Sequence, residues 1–261
     1  MFISTLLIDV GGNPDRPRPG RLWLRNPYRV HQRLCMAFPS VRRKNGDPEM
    51  LHPYAPEDFA DGHVHVRRND PEKKPAGFLF RIDPMAGGGA IILVQSAIQP
   101  DWEYAFRNAG FLLAAPPSEP RPLPLTFAVG NKFRFRLLAN ATFRARKGSV
   151  HRTGQPIEDK WVGKRIGVSG DEESLTNWIA RRAGPCGFTV DKLTLLQPGY
   201  VAFHRPEPDK PKPREPGVRL RSVRYEGILQ VAETERFHAA LASGIGSAKA
   251  FGFGLLSLAR V

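Results

Sequence analysis

Tyr28 and His31 lie three residues apart in a segment whose apolar residues recur at helical spacing. An imidazole titrates near neutral pH and can donate or accept a proton, and a phenol can position or exchange one. Cleavage of RNA without a metal needs one group to take the proton of the 2′-hydroxyl and another to protonate the departing 5′-oxygen. The alternative is that Tyr28 packs its ring at the helix start while His31 is a half-buried polar residue, and the residue types alone favour it.

A run of glycines near the C terminus offers a different kind of phosphate contact. Residues 244–258 read GIGSAKAFGFGLLSL, with glycines at 244, 246, 252 and 254 and one lysine, Lys249. Glycine permits positive φ and close approach, so its amide N–H groups can point outward at an anion. A helix C-cap followed by a tight turn would explain Gly244 without any ligand. Phosphate contact by Gly246, Lys249 and Gly252 is therefore open at this point.

The charge balance points to a polyanionic partner. The 261 residues carry a formal net charge of +14, far more than solubility requires, so nucleic acid or an anionic membrane is indicated. No apolar run approaches the roughly 20 residues of a spanning helix, and residues 1–9 lack a signal-peptide pattern. Cys35 and Cys186 form neither a metal-binding spacing nor a disulfide framework, which fits the cytoplasm. Neither cysteine has a visible redox or nucleophilic partner in the sequence.

Other basic residues supply further candidate contacts with a polyanion. Residues 132–139 alternate basic and apolar side chains, which puts Lys132, Arg134 and Arg136 on one face of a strand. Lys164 and Arg165 belong to a positive, loop-like stretch at 144–165, where they bind phosphate or are simply exposed. A group of arginines also precedes Tyr28: Arg16, Arg18, Arg21 and Arg25.

Several rival sites are weaker. His63 and His65, near Asp58 and Asp61, resemble a metal site, although histidines in such a loop are usually solvated. Ser149 and His151 suggest a proton-transfer pair but lack a third residue to orient them. We expect no cofactor and no metal. Two phenylalanines in the glycine-rich run could stack on bases or pack in the core, and these are Phe251 and Phe253.

The first half of the chain predicts the element order of a ferredoxin-like unit. A strand at 2–10 precedes a loop at 11–20 and a helix that starts at Pro27. Strands at 77–83 and 90–96 form a hairpin, and Asp101 caps a short helix. A strand around 110–114 completes the order βαββαβ. The stretch 41–76 has no readable structure.

The second half repeats this order. Strands are predicted at 132–139, 193–203, 219–231 and 255–258, with helices after Asp171 and at 233–241. We therefore predict an α+β fold of two tandem ferredoxin-like (RRM-like, βαββαβ) domains at 1–115 and 125–261. The proline-rich stretch 116–124 is the predicted linker. The glycine-rich run is then the turn between the last helix and the last strand.

The ending of the chain closely resembles the glycine-rich loop of the CasE-type CRISPR RNA-processing endoribonucleases. Further matches follow in the family's order: Asn-Pro-Tyr-Arg-Val-His at 26–31, Phe-Arg-Leu-Leu-Ala-Asn at 135–140, Gly-Lys-Arg at 163–165 and Tyr-Glu-Gly-Ile-Leu at 225–229. Each motif alone is common, but their ordered combination across nearly the whole chain is specific. After 163–165 this chain has Gly167 and Val168 where the family often has an apolar pair.

The resemblance implies a protein that binds the hairpin of a CRISPR repeat transcript and cuts at its 3′ base. We also expect the free protein to be a monomer. The resemblance also implies metal-independent cleavage, a 2′,3′-cyclic phosphate product, and association with the other subunits of the Cascade complex. Tyr28 and His31 become the catalytic pair, with acid and base unassigned. Lys164 and Arg165 would grip the RNA near the cut, with Lys249 and the glycines nearby. The family also has a serine near the cleavage site, and Ser149 is the candidate for it in this chain.

Two other functions fit the same charge. A basic subunit that holds an RNA hairpin without cutting it would need the same cationic surfaces, but not Tyr28 and His31. A protein that binds an anionic surface would prefer vesicles to RNA at matched salt. The sequence does not specify the repeat that is recognised, because base readout depends on side-chain geometry.

Overall fold

A computed structural model of the chain describes residues 1–13, 15, 18–52, 55, 77–86, 89–123, 126–150, 155–203 and 218–261. The chain forms two compact units. The first consists of the described residues of Met1–Leu125, Val201–Arg219 and Lys249–Gly252. The second consists of Thr126–Tyr200, Leu220–Ala248 and Phe253–Val261 within the same description. The predicted domain boundaries at 115 and 125 stay predictions.

The first unit is a four-stranded antiparallel sheet with helices. Its strands are β1 (Phe2–Ile8), β2 (Phe78–Pro84), β3 (Ala90–Ser96) and β4 (Arg121–Pro122). Its helices are α1 (Pro19–Leu24), α2 (Pro27–Cys35), α3 (Val41–Gly46) and α4 (Trp102–Phe106). The strand order is β2-β3-β1-β4, and the strand paired with both β2 and β1 is β3. This is the arrangement expected of a βαββαβ unit.

Two details of the first unit differ from the sequence prediction. The strand predicted around 110–114 is confirmed only at its end: Gly110–Leu112 is a 3-10 helix, whereas Leu113 forms a single antiparallel bridge with Ile8 and the N–H of Ala114 donates to the carbonyl of Leu7. The fourth strand is β4, which lies inside the predicted linker and pairs with the start of β1. The loop predicted at 11–20 is also shorter than expected, because helix α1 begins at Pro19.

The core of the first unit lies between β1, β3 and α2. Leu6 and Ile8 alternate with more exposed residues along β1 and are at most 2% exposed. Val30 and Leu34 lie one turn apart on α2, and both are fully buried. Burial of such side chains contributes roughly 1.5–3 kcal/mol each to folding. The buried face of α2 thus fixes how the helix lies on the sheet.

The second unit repeats this architecture. Its strands are β5 (Lys132–Ala139), β6 (Thr142–Arg144), β7 (Arg165–Gly167), β8 (Phe188–Phe203), β9 (Val218–Val231) and β10 (Leu256–Arg260). Its helices are α5 (Glu172–Ala183) and α6 (Thr234–Ser243). The main sheet has the order β10-β5-β9-β8, so it again places the first strand between the third and the fourth. The predicted α+β fold of two ferredoxin-like units is confirmed.

A small antiparallel sheet joins the two ends of the stretch at 144–165, which the sequence predicted to be a loop. β6 pairs with β7 so that Phe143 lies opposite Ile166 and Arg144 opposite Arg165. The described residues of this stretch, 144–150 and 155–165, are called the arm below, and they run in the chain from the end of β6 to the start of β7.

The motif at 225–229 has a packing explanation in the second unit. A Cβ on Gly227 would lie 1.9 Å from the carbonyl oxygen of Lys192, so β9 can approach β8 here only with glycine. Tyr225 stacks on Trp178 at 5.6 Å between ring centroids, and its hydroxyl donates to the carbonyl of Leu175. Burial raises the pKa of the Tyr225 phenol.

Candidate active site

Helix α2 positions the predicted catalytic pair. The Asn26 side chain caps the helix by accepting from the N–H of Tyr28 at 3.2 Å, and Pro27 takes the first helical position. Tyr28 and His31 therefore lie one turn apart, as the sequence predicted. Arg25 is exposed at the C-cap of α1, next to this start.

His31 is more deeply buried than the sequence suggested. Its side chain is 5% exposed and stacks on Phe78 of β2, with ring centroids 5.3 Å apart and planes at 28°. Phe80 lies farther off at 6.3 Å, with nearly parallel planes. The Nε2 atom is 3.6 Å from the Sγ of Cys35, one helical turn on. Two aromatic rings and a thiol thus define the orientation of the imidazole.

The sequence did not predict the contacts of His31 with Cys35, Phe78 and Phe80. Cys35 follows His31 by four residues, a spacing that puts both side chains on one helical face. The expectation that Cys35 lacks a partner is therefore wrong. Phe78 and Phe80 alternate along β2, but no local pattern could say which helix they would meet.

Tyr28 meets the glycine-rich run. The ring of Tyr28 is half-buried, and its centroid lies 6.2 Å from that of Phe251. Phe251 ends a 3-10 helix at Lys249–Phe251 that belongs to the first unit. This contact joins the two motifs at opposite ends of the chain, and it brings Lys249 to the same part of the unit. Phe253, by contrast, is 0% exposed and is a core residue.

The glycines of this run are explained by backbone geometry and close packing. Gly244, Gly246, Gly252 and Gly254 all have positive φ, between 72° and 92°. A Cβ on Gly246 would meet the ring of Trp178 at 3.3 Å, and one on Gly252 would meet the ring of Phe80 at 3.3 Å. A side chain at either position would be strained by the positive φ and crowded against an aromatic ring.

The expectation that the glycine amides point outward at an anion is wrong for three of the four. The N–H of Gly244 donates to the carbonyl of Ala240, that of Gly252 to Lys249, and that of Gly254 to Leu138. Tertiary and turn hydrogen bonds use these donors, because buried amides must be paired within the protein. RNA contact by Gly246, Gly252 and Lys249 stays a prediction.

The basic face of β5 exists but is partly neutralised. Lys132, Arg134 and Arg136 project from the side opposite the buried Phe135 and Leu137. Lys132 Nζ lies 2.7 Å from Asp191 Oδ2, and Arg136 Nε lies 2.7 Å from Glu226 Oε1. These cross-strand ion pairs offset part of the positive potential that the sequence suggested.

Lys164 and Arg165 lie in the second unit at the start of β7. Both are exposed, and Lys164 Nζ sits 5.0 Å from the ring centroid of Trp161. Ser149 belongs to the same arm, where its hydroxyl accepts from the N–H of Arg146 in a local turn. This hydrogen bond gives the Ser149 hydroxyl a structural role within the turn.

Several weaker candidates fall outside the described residues: Arg16, Asp58, Asp61, His63, His65 and His151. Within the described ranges, no group of three or more His, Cys, Asp or Glu side chains is arranged to hold a metal ion. None of the helices in this part of the chain is long and apolar enough to span a membrane.

Comparison with known proteins points to the same family as the sequence motifs. A family model described as "CRISPR associated protein" matches residues 1–260. The CRISPR-associated endoribonuclease Cse3 of Thermus thermophilus is 30% identical over 190 residues, which cover 69% of this chain and 79% of that protein.

Solved structures agree on the fold. A structure of CRISPR endoribonuclease Cse3 bound to 19-nt RNA matches with a TM-score of 0.65 and 25% identity over the full length of both chains. The CRISPR-associated protein Cas6e of Escherichia coli matches with a TM-score of 0.55 and 21% identity, also over both full chains. The motifs, the repeated strand order and these matches agree: the chain belongs to the CRISPR associated protein family, among its CasE-type endoribonucleases.

Proposed function

We propose that this chain is an endoribonuclease that binds the repeat hairpin of CRISPR precursor RNA and cuts at its 3′ base. Its relative Cse3 carries the name of an endoribonuclease, and a similar structure holds a 19-nt RNA. We further propose that it acts in the cytoplasm, is a monomer when free, and keeps its product as a subunit of Cascade. The net charge of +14 suits a long polyanionic ligand.

The proposed reaction is attack of the 2′-hydroxyl oxygen on the adjacent phosphorus. The bond from phosphorus to the 5′-oxygen breaks, and the products are a 2′,3′-cyclic phosphate and a free 5′-hydroxyl. One proton leaves the nucleophile and one reaches the leaving oxygen, so the step consumes no external water. We propose that it also proceeds without a metal ion. Tyr28 and His31 exchange these two protons, with the order unassigned.

The observation that carries this proposal is the contact of Tyr28 with Phe251. It places the Tyr28–His31 face of α2 beside the turn that holds Lys249, so two proton-transfer groups and one cation share a region of the first unit. A cation near the reacting phosphate stabilises the charge that develops on its oxygens. We propose that Lys164 and Arg165 contribute likewise, and that Arg25, Lys132, Arg134 and Arg136 contact the RNA backbone.

One observation favours the alternative of a subunit that binds an RNA hairpin without cutting it. The His31 side chain is only 5% exposed, and its ring packs against Phe78. A histidine that serves only as a packing residue would look the same. One experiment that measures both cleavage and binding distinguishes an endoribonuclease from a subunit that only binds RNA.

That experiment incubates the full chain and its Tyr28→Phe/His31→Ala double variant with cognate repeat RNA in EDTA. The proposal predicts one cut by the wild type, with the double variant slower by roughly 10²-fold or more but still able to bind. A substrate with a 2′-deoxy sugar at the cut should resist. Cleavage of the deoxy substrate would contradict the mechanism, and binding without any cleavage by the wild type would favour the alternative.

A further inference from the structure

Trp161 is unusual among the tryptophans of this chain because its indole faces solvent. Its exposed fraction is 40%, whereas Trp102 and Trp178 are 4% and 5% exposed in the two cores. The two phenylalanines considered for base stacking are otherwise engaged, since Phe251 packs on Tyr28 and Phe253 is 0% exposed. An exposed indole leaves a large apolar face in water, which binding to a flat partner would relieve.

The backbone around Trp161 is well fixed. The N–H of Trp161 donates to Glu158, and the carbonyl of Trp161 accepts from Lys164, both at 2.9 Å. Two further hydrogen bonds tie the same turn to Ala145, the residue after β6: the N–H of Ala145 donates to the carbonyl of Lys164, and the N–H of Gly163 donates to the carbonyl of Ala145, both at 2.9 Å. Two neighbouring residues of the arm, Ala145 and Ile157, are buried. The indole is therefore held on a rigid support.

The surface around the indole is strongly cationic. Lys164 Nζ lies over the Trp161 ring at 5.0 Å from its centroid, within the range of a cation–π contact. Arg144 and Arg165 are direct cross-strand neighbours at the ends of β6 and β7, so two guanidinium groups lie close together here. The arm carries exposed basic residues in excess over its acidic Glu158 and Asp159, and these are Arg144, Arg146, Lys147, Lys160, Lys164 and Arg165.

We propose that Trp161 and Lys164 form a binding site for one unpaired RNA nucleotide, with the base stacked on the indole and the phosphate beside the ammonium. An aromatic face is indifferent to base identity, and alanine substitution at such a site weakens binding by about tenfold or more. The site rests on the proposed RNA-binding function and adds to it a contact outside the hairpin stem.

The test measures the affinity of the full chain for two single-stranded probes of equal length. One is a short oligoadenylate, and the other is the matching abasic oligonucleotide, which keeps the phosphates and lacks the bases. The variants are Trp161→Ala, Trp161→Phe and Lys147→Ala. Lys147 is an exposed charge on the same arm and serves as the control. Thermal unfolding of each variant establishes that it is folded.

Trp161→Ala should lose about tenfold in affinity for oligoadenylate and nothing for the abasic probe, while Trp161→Phe stays close to wild type. Lys147→Ala should lower the affinity for both probes equally. Wild-type affinity of Trp161→Ala for oligoadenylate would overturn the site, as would an equal loss for both probes. No cleavage step is involved, so a chain that stacks oligoadenylate without cutting repeat RNA would overturn the proposed function alone.

Discussion

Tyr28 and His31 share a helical face but have different surroundings. His31 is enclosed by Phe78, Phe80 and Cys35, so its ring orientation is set before any RNA binds. Tyr28 is half-buried and lies against Phe251 of the glycine-rich run. A preorganised imidazole costs little reorganisation during a reaction. The phenol is the more accessible member of the pair.

We expect Tyr28→Phe to separate chemistry from packing. Phenylalanine keeps the ring that contacts Phe251 and removes only the hydroxyl. Single-turnover cleavage of repeat RNA should fall by about 10²-fold or more, because one proton-transfer group is lost. A thermal melt of the variant establishes that it is folded.

Tyr104→Phe is the matched control. The Tyr104 hydroxyl donates to the carbonyl of Asp47 at 3.1 Å in the core of the first unit. Its loss should cost about 1 kcal/mol of stability and leave the cleavage rate unchanged. Equal cleavage rates for Tyr28→Phe and Tyr104→Phe would show that the Tyr28 hydroxyl takes no part in the reaction.

Strand β9 depends on one glycine for its contact with β8. The position of a Cβ on Gly227 is 1.9 Å from the carbonyl oxygen of Lys192, so Gly227→Ala must force the two strands apart. We expect a loss of about 3 kcal/mol or more in the free energy of unfolding. Urea unfolding measures this directly.

Gly167→Ala in β7 is the control, because nothing lies within 4 Å of the position its Cβ would take. Its stability should stay within about 1 kcal/mol of wild type. Similar stabilities for the two variants would mean that β8 and β9 are not as close as the structure shows.

Helix α5 starts at an aspartate whose ionised form is favoured by folding. Hydrogen bonds from the Ser169 side chain and the Ser174 backbone lower the pKa of Asp171 to about 2. The folded pKa lies below the ordinary value of 3.8, so this carboxylate stabilises the fold above that pH and loses the effect as the pH falls toward 2.

Asp171→Asn isolates this effect, because asparagine can still cap the helix but does not ionise. Unfolding in urea should show wild type more stable than Asp171→Asn near neutral pH, with the gap narrowing between about pH 4 and about pH 2. A gap that stays constant over this range would contradict the assignment.

At the scale of the whole molecule, the sequence predicts most of the element order. Apolar, β-compatible runs in β1 and β3, basic–apolar alternation in β5 and helical spacing in α2 and α5 are local signals, and each of these elements is confirmed. The fourth strand of the first unit was misplaced because β4 has only two residues, too few to show any period.

What the sequence could not predict depends on partners distant in the chain. The glycine amides at 252 and 254 are paired inside the protein, and Lys132 and Arg136 find Asp191 and Glu226 on other strands. Tyr28 and His31 could be selected by residue type and spacing. The burial of His31 by Phe78 and Phe80 required the folded sheet.

The most direct test of the central claim is to sequence the RNA that copurifies with the full chain when it is produced together with its CRISPR transcript, and to map the 3′ ends. We predict that wild type holds RNA ending at the 3′ base of the repeat hairpin with a 2′,3′-cyclic phosphate, and that His31→Ala holds the uncut transcript. Identical 3′ ends from both proteins would contradict the account.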